Sequence, residues 1–144
     1  IPGWRVGMLC GKAEWVAAAL KVKSNMDSGM FLGLQKGAIA ALSLEKGWFD
    51  RQNEIYTARR KLVWTLADHL GLTYDREAAG LFVWCKMQEG ASAEELVDQL
   101  LYEKSIFITP GKIFGTEGSA YVRISLCLQE FKILEAINRI KPIS

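Results

Sequence analysis

The feature that most constrains this chain is the periodic run from Phe49 to Leu70. Ile55, Leu62, Val63, Leu66 and Leu70 recur at helical intervals, and Gly71 comes next as a stop signal. At about 1.5 Å per residue the run makes a helix roughly 33 Å long, enough to span a small domain. A helix of that length with one apolar stripe has to lie against another layer. It therefore divides the chain into an N-terminal and a C-terminal part.

In the N-terminal part, Trp4 to Cys10 is short, apolar and free of acidic residues, and Gly11 ends it, the pattern of a buried strand running into a turn. Trp15, Val16, Ala19, Leu20 and Lys23 then mark a helix over Lys12 to Lys23. A polar break from Ser24 to Gly29 leads to a second helix, carried by Phe31, Leu34, Ala38, Ala41 and Leu42 and interrupted at Gly47. The strand has no evident partner nearby, so its partners are expected upstream of Ile1. The chain opens without an initiator Met, a signal peptide or a polar leader, and it reads as cut within a larger protein. An unpaired strand edge and an exposed apolar helix face make self-association of such a fragment the expectation.

After Gly71 the texture changes to short strands and helices. Leu81 to Met87 reads as a strand with Leu81, Val83 and Cys85 on one side and Phe82 and Trp84 on the other. Ser92 and Glu95 form a capping box before a helix with Leu96, Val97, Leu100 and Leu101 inside. Ile106-Phe107-Ile108 is a strand stopped by Thr109-Pro110-Gly111. A glycine-containing loop covers Gly111 to Gly118, and Tyr121 to Leu126 is a further strand. Phe131, Leu134, Ile137 and Ile140 line a last helix that ends near Pro142. The expected class is α/β: a small C-terminal domain over 71–144, preceded by a strand–helix remnant of another layer over 1–46 and a connecting helix over 47–70.

Composition narrows the partners. Half of the 144 residues are hydrophobic and 24% are charged, which suits a globular domain with a real core. A net charge of +2 is too small for a nucleic-acid surface, and no apolar run approaches the roughly 18 residues of a membrane span. The basic run Arg59-Arg60-Lys61 reads as the solvated side of a helix. Cys10, Cys85 and Cys127 have no metal or disulfide spacing, and each lies among apolar neighbours. They read as buried free thiols in a reducing cytoplasm. His69, the single histidine, falls near a helix end, where packing or hydrogen bonding is its expected role. Metal sites and Cys/His catalysis are accordingly not expected.

Three features could carry chemistry. In the strand Tyr121 to Leu126, Val122, Ile124 and Leu126 face one way, while Tyr121, Arg123 and Ser125 face the other. An arginine mid-strand needs an anion, which is either an internal Glu or Asp or the carboxylate of a ligand gripped by the planar fork. The loop Pro110 to Gly118 has three glycines but lacks P-loop order. Its place beside the Arg123 strand makes it a mobile wall of a site. Arg5, between Gly3 and Gly7, either approaches a phosphate closely or forms a surface or interface ion pair.

Together these residues resemble a known family. The stretch Ile106 to Leu126, with Pro110-Gly111, Phe114-Gly115, Gly118 and Arg123-Ile124-Ser125 in order, is similar to the C-terminal signature of class I/II aminotransferases, fold type I enzymes dependent on pyridoxal 5'-phosphate. Pro2-Gly3-Trp4-Arg5-Val6-Gly7 resembles the segment just after the lysine that carries the cofactor in that family. Gly80-Leu81-Phe82-Val83 resembles its small-domain strand, and Ser24 to Phe31 with Gln35 resembles its stretch near the neighbouring subunit's site. The resemblance implies that Arg123 binds the α-carboxylate of amino-acid and 2-oxo-acid substrates and that Arg5 binds the cofactor phosphate. It places the cofactor-carrying lysine upstream of Ile1, so no residue here is assigned as catalytic. The implied parent is a cytoplasmic, homodimeric aminotransferase whose substrate amino acid is not legible. The fragment alone is expected to bind no cofactor and to be inactive. A C–S lyase or synthase of the same fold, or the effector domain of a transcription regulator, are the alternatives this family leaves open.

Overall fold

The computed structural model describes residues 3–140. The chain divides into two compact units, Ile1–Phe49 and Asp50–Ser144.

The first unit holds α1 (Ala13–Met26), α2 (Leu32–Leu42) and the start of α3 (Lys46–His69). The strand expected from Trp4 to Cys10 does not form: residues 3–5 make a turn and residues 6–10 join no ladder. A strand exists only through hydrogen bonds to a neighbour, and the described residues of this unit contain no other strand. The expected break at Gly47 also moves. The chain leaves α2 at Ser43, and Gly47 lies inside the first turn of α3. Neither α1 nor α2 buries a single residue. Trp4 lies against α2, where a Cβ on Gly37 would stand 2.7 Å from the indole ring.

The second unit is an α/β layer pair. Its sheet runs β1 (Thr73–Tyr74), β2 (Phe82–Lys86), β4 (Tyr121–Ser125), β3 (Thr109–Pro110) in spatial order, antiparallel throughout. β2 and β4 alternate as expected: Val83, Cys85, Val122 and Ile124 are buried, with Leu126 just beyond the strand. They join one core with Val63, Leu66 and Ala67 of α3, Val97 and Leu100 of α4 (Ala93–Lys104), and Ile133 and Ile137 of α5 (Glu130–Ile140). Each such side chain removed from water contributes about 1.5–3 kcal/mol. Helices thus cover one face of the sheet.

Local chemistry sets the element ends. α3 closes with Leu72 N–H donating to Ala67 O (3.0 Å) and Gly71 N–H to Asp68 O (3.1 Å), with Gly71 at φ +67°, a left-handed C-terminal cap. Ser92 accepts from the Glu95 N–H at the start of α4, as the capping box requires. The strand expected at Ile106-Phe107-Ile108 shifts to Thr109–Pro110. The N–H of Ile106 is spent on Leu100 O (3.0 Å) in closing α4, so ladder pairing begins later. In α5 the buried stripe is Ile133 and Ile137, whereas Phe131 and Leu134 are exposed. Positions three apart drift around a helix by about 60° per step, so 131, 134, 137 and 140 do not share one face.

Two further expectations are corrected. Cys10 and Cys127 are exposed, and only Cys85 is buried. Of the basic run, Lys61 is exposed as expected, whereas Arg59 and Arg60 are half-buried. Arg59 donates to Leu126 O (3.2 Å) and lies over the Tyr56 ring, while Arg60 donates to Ala78 O (3.0 Å) and Gly80 O (2.5 Å). Arg59 is four residues before Val63 and seven before Leu66, which puts it on the packed side of α3. The two guanidinium groups tie α3 to the entry of β2 and the exit of β4. No described helix is long and apolar enough to cross a membrane.

Candidate functional site

The uncovered face of the sheet carries the residues that alternation sends away from the core: Phe82 and Trp84 from β2, Tyr121, Arg123 and Ser125 from β4. Arg123 sits at the middle of this face, opposite Trp84 on one side and Thr109 on the other. Its guanidinium carbon lies 4.1 Å from the centre of the Phe82 ring and 4.2 Å from that of Phe114. Trp84 stacks on Tyr121 (5.3 Å, 17° between planes) and meets Phe114 edge-on (5.9 Å, 67°). The result is an aromatic surface with one cation set into it.

No described carboxylate, and no other described acceptor, meets the Arg123 guanidinium. The internal ion pair that was the competing explanation for a mid-strand arginine is therefore not what holds it. Five N–H donors stand without a protein acceptor on a half-buried cation. A planar oxyanion could take two of them side by side.

The glycine loop forms two short 3-10 turns, Gly111–Phe114 and Thr116–Gly118, closed on each other at their ends. A Cβ on Gly111 would lie 2.4 Å from Gly118 O, 2.7 Å from Tyr121 O and 2.9 Å from the Trp84 ring, and one on Gly118 would lie 2.2 Å from Gly111 O. These two glycines are present so that backbones can touch. Lys112 adds an ion pair to Glu94 at the start of α4 (3.2 Å). The closure fixes where Phe114 stands, and with it one of the two rings against Arg123. Sequence reasoning did not single out Phe114 for this role; its spacing to Arg123 across a closed loop was the only signal available.

Arg5 belongs to the first unit. It sits exposed in the turn after Gly3, with φ +55°, a left-handed backbone that non-glycine residues adopt at a cost. Gly3 and Gly7 have nothing within 4 Å of where a Cβ would be, and no described residue pairs with the Arg5 side chain. A cation beside open backbone fits one contact to a phosphate group and no more than that. Pro2, quoted with this segment, lies outside the described residues. Between α1 and α2, Asp27 pairs with Lys23 and accepts from Gly29 N–H (3.2 Å), and Gln35 donates to Met30 O (2.7 Å). The hydrogen bond from Lys23 holds the Asp27 carboxyl below the usual range.

Comparison with known proteins identifies the family. The family model described as Aminotransferase class I and II matches residues 1–140, and the chain belongs to that family. It is 39% identical over 141 residues to the LL-diaminopimelate aminotransferase of Aquifex aeolicus (strain VF5) and 38% identical to that of Oleidesulfovibrio alaskensis. In each case 98% of this chain covers 36% of the relative. An aminotransferase from Staphylococcus aureus superposes with a TM-score of 0.79 at 35% identity, covering 96% of this chain and 37% of that one. A Methanococcus jannaschii protein, described as similar in its active site to kynurenine aminotransferases, gives 0.79 at 28% identity, again over 96% and 37%. The chain thus spans little more than a third of the length of the relatives it matches. The α/β fold with its small antiparallel sheet is the one these aminotransferase structures share.

Proposed function

We propose that this chain supplies the substrate-carboxylate half of a pyridoxal-phosphate-dependent aminotransferase site, with Arg123 as the clamp. The observation that carries the proposal is Arg123 itself: a half-buried guanidinium on the uncovered sheet face, held by two rings and met by no protein anion among the described residues. In this reading residues 71–144 are the small domain, 47–70 the connecting helix, and 1–46 part of the cofactor-binding domain. Arg5 contributes one cation toward the cofactor phosphate.

The cofactor, when bound, supplies an electron sink for the carbanion formed at the substrate Cα. What this chain adds is orientation. A bidentate pair between Arg123 and the α-carboxylate fixes the substrate at two points, leaving only the Cα substituents to be arranged. The rigidity of β4, paired on both sides at Arg123, keeps that clamp in place.

On the family resemblance, none of the lysines in these 144 residues is assigned as the cofactor-carrying one, and in this reading the 144 residues by themselves do not transaminate. An absorbance band from bound pyridoxal phosphate, fixed to a lysine of this chain by borohydride, would contradict that. For the whole protein, a panel of amino donors and 2-oxo acids identifies the substrate; LL-diaminopimelate heads it because the curated relatives bear that name. Losing one charge-assisted hydrogen-bond pair costs roughly 10- to 100-fold in kcat/KM, the effect expected for Arg123→Gln across every active substrate. An unchanged kcat/KM would remove Arg123 from the role. Because α1 and α2 bury no residue of their own and expose Trp15, Leu20, Ile39 and Leu42, the chain is also expected to self-associate, and a monomer by light scattering would argue against that.

A further inference from the structure

We infer that Phe82 and Phe114 are positioning residues for Arg123: they orient its guanidinium without neutralising it. The inference rests on the reading of Arg123 as the carboxylate clamp and goes beyond it by saying what holds the clamp in shape before substrate arrives.

An arginine has four rotatable side-chain bonds and a large rotamer entropy, so a free one meets its ligand at the cost of being ordered. Proteins often pre-order an arginine with a carboxylate. That solution would here occupy the N–H edge and cancel the charge the substrate needs. Ring faces attract a cation through their quadrupole and take none of its N–H donors in the way an oxygen acceptor does. Arg123 has rings at 4.1 Å and 4.2 Å and no acceptor among the described residues. Both rings are themselves placed by independent structure. Phe82 stands on β2, in register with Ser125 two residues beyond Arg123, and the strand's entry is held by Arg60 on Gly80 O. Phe114 is set by the Gly111–Gly118 closure and by its edge contact with Trp84. Neither ring is part of the core: Phe82 is 41% and Phe114 50% exposed.

The test uses the chain with 15N-labelled arginine and pyruvate as the carboxylate probe. In the ligand-free parent, side-chain 15N relaxation should show the Arg123 Nε–Hε group ordered, in contrast to Arg5. An Arg123 group as mobile as that of Arg5 overturns the inference without any variant. Phe82→Leu and Phe114→Leu should each weaken pyruvate binding roughly two- to fivefold and lower the order of the Arg123 group, whereas Phe82→Tyr and Phe114→Tyr should keep both. Equal binding and order in the Leu and Tyr variants overturns it. Should a Leu variant lose its dispersed methyl spectrum, Phe82→Met and Phe114→Met carry the same expectation. Arg123→Gln separates the two claims. If it binds pyruvate as the parent does, the clamp reading fails; if it alone loses binding while the Leu variants keep theirs, only the role of the rings fails.

Discussion

Replacing Gly111 by Ala sets two physical effects against each other, and the structure says which wins. Where a glycine has ordinary backbone angles and free space, adding a methyl group stabilises a protein by about 0.4–1 kcal/mol, because the unfolded chain loses freedom. Gly111 has no positive φ, so this gain is available in principle. Its Cβ would, however, meet Gly118 O at 2.4 Å, Tyr121 O at 2.7 Å and the Trp84 ring at 2.9 Å. Two of the three obstacles are backbone, so rotamer changes do not relieve them. Relief requires the loop and the start of β4 to part by about 1 Å, an overpacking that costs about 1–3 kcal/mol. About 2 kcal/mol of overpacking less about 0.7 kcal/mol of gain leaves a net loss of about 1.3 kcal/mol, which at a urea slope of about 2 kcal/mol/M lowers the midpoint by roughly 0.5–1 M. Urea unfolding followed by tryptophan fluorescence measures it. The same variant should weaken pyruvate binding, because Phe114 and Tyr121 move with the loop. A Gly111→Ala chain as stable as the parent or more so would show that the loop is loosely held and that its glycines serve mobility instead.

Two smaller predictions concern single residues. Ser105 ends α4 in the left-handed region at φ +53°, so Ser105→Gly should stabilise the chain by about 1 kcal/mol in the same urea assay, and a loss of stability would refute the cap argument. Burial pushes the Cys85 thiol from 9.0 to about 12. The folded state therefore keeps a proton that the unfolded state releases. Stability from this group is complete below pH 9 and falls by about 1.4 kcal/mol per pH unit between pH 9 and 12. Cys85→Val should flatten that part of the profile, and an identical alkaline slope in both chains would contradict the assignment.

Elements whose sequence pattern is set by their own neighbours were legible. The buried end of the α3 stripe at Val63 and Leu66, the alternation of β2 and β4 and the Ser92 cap all depend on spacing within one segment, whereas Ile55, placed in the same stripe, is exposed. Arg123 could be picked out because a charge interrupts an apolar strand. What was not legible depended on distant partners. Trp4 to Cys10 has a strand's composition, but among the described residues no strand pairs with it. Ile106 has a strand's side chain, but its N–H is committed to closing α4. Arg59 and Arg60 looked solvated because their acceptors, Leu126 O and Gly80 O, lie 67 and 20 residues away. The same holds at the site, where only the folded surroundings of Arg123 show that no described carboxylate meets it. Phe114 reaches it only because two glycines let the loop close.

The most direct test of the central claim is a titration of the arginine-labelled chain with pyruvate and, separately, with its uncharged amide. The account predicts a saturable shift of the Arg123 Nε–Hε signal with pyruvate alone, and loss of pyruvate binding in Arg123→Gln. An Arg123 signal that ignores pyruvate, or that follows the amide equally well, would contradict it.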